Sequence, residues 1–144
     1  MPGIVVGVDG STGSHQALER AVQEAADHDE PLTVITVHQA VRDVYGVVSH
    51  YPDDREQTEK ARQAAQAETD QVLAAAAERP PSVKVTAVHG LPAEVLVKAT
   101  RGASMIVLGS RGAGGFGRLT LGSVTTQVAF HAHCPVLIIR HGKS

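Results

Sequence analysis

Gly109-Ser110-Arg111-Gly112, then nine residues, then Gly122-Ser123: this spacing concentrates the chemistry of the chain. It follows a run that reads as a buried strand, Ser104-Met105-Ile106-Val107-Leu108. It leads into a segment able to form a helix, Ser123 to Phe130. Strand, glycine-rich loop and helix N-terminus together make a phosphate cradle. Glycine lets backbone amides come close to an anion, and the first turn of a helix presents unpaired N–H groups with a partial positive charge. Arg111 and Arg118 stand inside or beside the loop, either as partners of outer phosphates or as solvated loop cations. The pattern points to a nucleotide.

Two competing phosphate motifs fail on their own requirements. Gly112-Ala113-Gly114-Gly115-Phe116-Gly117 has the literal spacing of a dinucleotide fingerprint. Its glycines begin after the strand has ended, and the helix opens five residues later. The ribose-binding acid expected about 20 residues on is missing, because no Asp or Glu follows Glu94. The hexapeptide reads instead as a lid or turn cluster. No Gly-x4-Gly-Lys-Ser/Thr occurs, and after Gly109 the only lysine is Lys143. The positioned lysine that fast phosphoryl transfer normally uses is therefore absent from the loop.

The elements that must position this loop can be read from periodicity. Ile4-Val5-Val6-Gly7-Val8 is a β-branched strand closing in the turn Asp9-Gly10, with Ser11 or Ser14 as cap of a helix whose apolar face is Ala17, Leu18, Ala21, Val22 and Ala25. Leu32 to Val37 is a second strand, and 39–52 a connector. A charged, alanine-rich helix is expected from about Asp53 to Glu78, stopped by Pro80-Pro81. Val83 to Val88 alternates enough for an edge strand. Pro92 starts a short helix, Ala93 to Thr100, and Pro135 to Ile139 is the last strand. Five strands alternating with four helices predict an α/β fold: one domain over 1–144, an open five-stranded parallel sheet with helices on both faces. Asp9, Val37-His38 and Gly109 then all fall at strand C-termini, where such sheets bind ligands.

Composition narrows the classes further. At 144 residues the chain can bury about two thirds of its unfolded surface. With no Trp and two each of Phe and Tyr, it lacks the stacking platforms of a single-strand nucleic-acid binder. Up to Glu94 there are fifteen acidic and seven basic residues. Beyond it there are six basic and none acidic, so nothing in the half holding the loop repels phosphate. Those bases are too dispersed for a DNA-binding stripe. No apolar run nears the roughly 20 residues of a membrane span. The single Cys134 and the absence of a signal-like N-terminus suit a cytoplasmic protein, and Cys134, ahead of a proline at a strand start, reads as structural. Of eight histidines only His131 and His133 are close in sequence, at a spacing that does not face together on a helix, so no metal site is expected.

The spacing Gly109-x2-Gly112-x9-Gly122-Ser123 resembles the nucleotide-binding signature of universal stress proteins of the ATP-binding kind. Val6-Gly7-Val8-Asp9-Gly10-Ser11 and Cys134-Pro135-Val136-Leu137-Ile138-Ile139 resemble that family's first and last strands. The resemblance implies a Rossmann-like sheet of order 3-2-1-4-5. It assigns Gly109, Gly112, Gly122 and Ser123 to the phosphates, with Val124 donating its backbone N–H. It places Asp9 beside the adenosine, where it accepts from ribose hydroxyls or holds a metal ion; from the residues alone, Asp9 is also a turn-forming Asp before glycine. Val37 resembles the position whose main chain reads the adenine edge, although by itself it would be a core residue. The resemblance further implies ATP, with Mg²⁺ possible and cyclic AMP the alternative ligand, a stress or dormancy role, and a homodimer joined through Val136 to Ile139. A slow ATPase or autophosphorylating protein is the other reading, and turnover is not expected beyond slow ATP hydrolysis, since no general base is evident around Ser123. A nucleotide-free interaction module is the reading that the intact signature opposes.

Overall fold

The structure is a computed structural model that describes residues 3–39, 41–42, 48–49, 54–110 and 121–140. Its elements are β1 (Ile4–Val8), α1 (Thr12–Asp27), β2 (Leu32–Gln39), β3 (Val41–Arg42), β4 (Val48–Ser49), α2 (Asp54–Ala75), β5 (Val83–Gly90), α3 (Pro92–Ala99), β6 (Met105–Gly109), α4 (Ser123–His131) and β7 (Val136–Ile139). Five of the strands form one parallel sheet in the order β5-β2-β1-β6-β7. Counted along the chain, that is the 3-2-1-4-5 order expected. β3 and β4 pair separately and antiparallel, Val41 with Ser49 and Arg42 with Val48.

Burial follows sheet position. β1 is buried along its whole length and β6 from Ile106 on, whereas every residue of β7 is half-buried and β5 is half-buried or exposed. Continuous apolar runs suit strands covered on both faces, and alternating ones suit edges. Two apolar layers sandwich the sheet. Ala17, Leu18, Ala21, Val22 and Ala25 of α1 and Ala65 and Val72 of α2 pack on Ile4, Val6, Leu32, Val34 and Val107. On the other face, Leu96 of α3 and Val128 of α4 pack on Val5, Ile35, Ile106 and Leu108. The helices α1 and α2 therefore share one face and α3 and α4 the other.

Strand order reverses between β1 and β6. From β1 the chain moves outward to β2 and β5, then crosses to β6 and β7 on the far side. The strand ends are also staggered. Val8 of β1 pairs with Thr36, while β2 continues beside β5 through Val37, His38 and Gln39. A crevice at the C-terminal end of β1, flanked by β2 and β6, results.

Several boundaries differ from expectation, among them β2, which runs on to Gln39 rather than Val37. α2 ends at Ala75 rather than Glu78, because the last turn tightens: the Ala76 N–H donates to Leu73 O at 3.3 Å, three residues back. The connector 39–52 contains the β3–β4 pair, whose two-residue strands are too short to show a period. β5 runs on to Gly90, because its ladder with β2 outlasts the apolar alternation. Among the described residues no helix is long and apolar enough to cross a membrane.

Leu18 is fully buried at the centre of the α1 layer. Leu18→Ala is expected to cost about 2–5 kcal/mol, read as a lowered midpoint in chemical denaturation with an unchanged slope.

Candidate functional site

The first wall of the crevice is the turn after β1. Gly10 has φ +83°, a left-handed conformation that glycine adopts without strain, and it reverses the chain into α1. Around it Asp9, Ser11 and Ser14 close a ring of hydrogen bonds. Asp9 Oδ1 accepts from the Ser11 N–H at 3.0 Å and from the Ser11 hydroxyl at 2.5 Å. Ser11 Oγ in turn accepts from the Ser14 N–H at 3.2 Å. The Ser14 hydroxyl accepts from the Asp9 N–H at 3.1 Å and donates to Ser11 O at 3.2 Å. Ser11 is thus the cap of α1. The exposed Asp9 carboxylate is held in place, and Ser11 supplies a side-chain acceptor to one of the first N–H groups of α1, that of Ser14.

The second wall is the end of β6. A Cβ on Gly109 would stand 2.8 Å from the carbonyl carbon and oxygen of Gly13 and 3.2 Å from Ser14 N. The glycine is therefore required by the approach of α1, independently of any ligand. The Gly109 carbonyl accepts from the buried Thr125 hydroxyl at 2.7 Å, which fixes α4 against the strand. Ser110 N–H donates to Ile139 O at 2.9 Å, and Gly122 N–H donates to Ser110 O at 2.6 Å. The glycine loop is consequently pinched at its neck, leaving at Ser110 and returning at Gly122. Arg111, Gly112, Arg118 and the Gly112–Gly117 hexapeptide lie outside the described residues.

α4 opens differently from α1. Its cap, Gly122, has an extended backbone (φ −63°, ψ 158°) and supplies no side-chain acceptor. The first intrahelical bond runs from Thr126 N–H to Gly122 O at 2.9 Å. The N–H groups of Ser123, Val124 and Thr125 precede that ladder, the position where helices take up anions. Ser123 is exposed and adds a hydroxyl, while the Val124 side chain packs into the α3–α4 layer and holds the turn. Val37 is the first β2 residue beyond the last pairing with β1, laterally next to Asp9. Its side chain is in the core and its partner on the outer side is Val88.

Five of the eight residues expected at the site thus surround one crevice with described geometry: Asp9, Val37, Gly109, Gly122 and Ser123, with Val124 as a sixth through its main chain. Arg111 and Gly112 are not described. The model of the universal stress protein family matches residues 2–140. The chain belongs to the universal stress protein family. Universal stress protein Rv2005c of Mycobacterium tuberculosis is 37% identical over 140 residues, covering 95% of this chain and 47% of the relative. Another from that organism, Rv2624c, is 32% identical over 140 residues, with 97% and 48% covered. The chain spans about half the length of these curated relatives. Among solved structures, universal stress protein UspA of Lactobacillus plantarum superposes with a TM-score of 0.77 at 27% identity, covering 96% of this chain and 97% of that one. A universal stress protein crystallised in complex with cAMP has a TM-score of 0.67 at 27% identity, with 96% of each chain covered.

Sequence reasoning missed Gly13 and Thr125 as builders of the site, and took Ser14 only as an alternative cap of α1. A glycine inside the first turn of a helix was a usable signal of close approach. The Thr125 hydroxyl had none, since threonine on a helix usually bonds within its own helix. Among the described residues no group of three or more His, Cys, Asp and Glu could hold a metal. Burial pushes the Cys134 thiol up from its ordinary range, which leaves it a poor nucleophile, as its structural reading requires.

Two glycines separate packing from binding. Gly109→Ala is expected to lower stability by roughly 1–3 kcal/mol through overpacking against Gly13, with or without nucleotide. Gly122→Val, at a backbone conformation open to any residue, should keep the circular dichroism spectrum and abolish the thermal response to ATP.

Proposed function

We propose that the crevice at the C-terminal ends of β1 and β6 binds an adenine nucleotide, with ATP preferred. The observation that carries this reading is the contrast between the two helix starts facing the crevice: α1 is capped by the Ser11 side chain, and α4 begins at a glycine, which gives its first N–H groups no side-chain cap. In this reading the phosphates lie on the backbone of Gly109, Gly112 and Gly122 and on the N–H groups of Ser123 and Val124. The Ser123 hydroxyl and Arg111 complete the shell. Asp9 accepts from the ribose hydroxyls or meets a Mg²⁺ carried by the phosphates. The main chain of Val37 reads the adenine edge.

The protein acts by binding rather than turnover, in a cytoplasmic stress or dormancy response, with hydrolysis slow at most. Val136 to Ile139, half-buried along the β7 edge, join two copies into a homodimer, since an uncovered apolar strand edge templates pairing. The relative solved with cAMP favours one alternative ligand, cyclic AMP, because it too places adenosine and a phosphate on the same elements.

Thermal melts with ATP, ADP, AMP, cyclic AMP and GTP test the reading. A ligand at 100 times its Kd stabilises by about 2.7 kcal/mol, a rise of several degrees in Tm for a domain of this size. ATP should give the largest rise and GTP the smallest. A response confined to cyclic AMP replaces ATP with the alternative, and no response to any of the five overturns the assignment.

A further inference from the structure

His38 and His89 are 51 positions apart in sequence, yet they are direct register partners on the adjacent parallel strands β2 and β5. Partners in a parallel ladder point to the same side of the sheet. Here it is the side opposite Val37, because side chains alternate along β2 and Val37 packs in the α3–α4 layer. The imidazole pair therefore lies in the layer of α1 and α2, separate from the main chain proposed to read adenine. Their ring centres are 5.3 Å apart and the planes are inclined at 33°, tilted rather than stacked face to face. With metal–nitrogen bonds of 2.0–2.1 Å, two imidazoles on one tetrahedral ion have ring centres roughly 5 Å apart. Both residues are half-buried at the crevice end of the sheet, so an ion there would keep contact with solvent.

A second feature lies at the same end of this layer. Thr58, near the start of α2, is half-buried and stands seven residues before the buried Ala65 on the same helix. Its hydroxyl oxygen is buried without a hydrogen-bond partner among the described residues. α2 runs opposite to the strands and enters the layer at their C-terminal ends, where the histidines stand. A water held on an ion would give such an oxygen a partner that the described residues do not supply.

We infer that His38 and His89 form a two-imidazole site for a divalent first-row transition metal. The remaining coordination positions are open to water or an exchangeable ligand. Imidazole donors place Cu²⁺ above Zn²⁺ in affinity and exclude Mg²⁺ and Ca²⁺ as preferred ions.

The test is calorimetric titration of tag-free, metal-stripped protein with Zn²⁺ and, separately, Cu²⁺. One equivalent should bind, tighter for Cu²⁺. His38→Gln and His89→Gln should each weaken it on the order of 100-fold, by removing the chelate gain. A double variant, His131→Gln with His133→Gln, should bind as the parent does. Equal binding by the single variants and the parent, or loss of binding in the double variant instead, overturns the site. If either single variant unfolds, histidine ring NMR of the parent decides. Zn²⁺ should move the His38 and His89 signals together at one equivalent. Unmoved signals, or earlier movement of His131 or His133, mean the pair is ring packing only. Melts with ATP, run on the metal-free protein, report on the nucleotide crevice independently.

Discussion

The close approach of α1 to the end of β6 is the constraint on which the rest of the site depends. Gly109 meets the backbone of Gly13 where a Cβ on Gly109 could not stand, and this contact sets how near the Asp9 turn comes to the glycine loop. A side chain at Gly109 would push α1 away from the central strands. The Asp9–Ser11–Ser14 ring and the Thr125 bond to Gly109 O lock the two sides of that contact independently. Site geometry is thus a consequence of core packing, since the same α1 face carries Ala17, Leu18 and Ala21 into the apolar layer beneath.

The two helix starts at the crevice divide the electrostatic work. α1 takes a side-chain cap from Ser11, whose hydroxyl also donates to the Asp9 carboxylate beside the crevice. α4 has no side-chain cap, and no acid follows Glu94 in the sequence to supply one. An anion is expected where donors are left over, and a hydroxyl-bearing sugar where a fixed carboxylate stands. Asp9 and Ser123 therefore complement one another, although 114 positions separate them in the chain.

Much of this was legible in the sequence because it rests on local chemistry. Continuous apolar runs marked β1 and β6 as strands, with β6 read as buried, alternation marked β5 as an edge, and Ser11 or Ser14 stood at the capping position before an amphipathic face. The glycine spacing located the loop and the start of α4. What remained hidden was set by contacts distant in sequence. Gly109 read as a phosphate residue, but its lack of a side chain is explained by Gly13, on a helix nearly a hundred positions earlier. The His38–His89 pairing depends on the β2–β5 register, which periodicity leaves undetermined. The end of α2 at Ala75 and the β3–β4 pair are features of one or two residues, below the length at which a period can be recognised.

Backbone NMR of ¹⁵N-labelled protein titrated with ATP tests the central claim most directly, because it reports each amide of the crevice separately. The account predicts that the largest shifts fall on Ser123 and Val124 at the start of α4, with Asp9 and Val37 moving in step at the same saturation. The amides of α2 should stay still. Shifts confined to other elements, or none at saturating ATP, would contradict the assignment of this crevice.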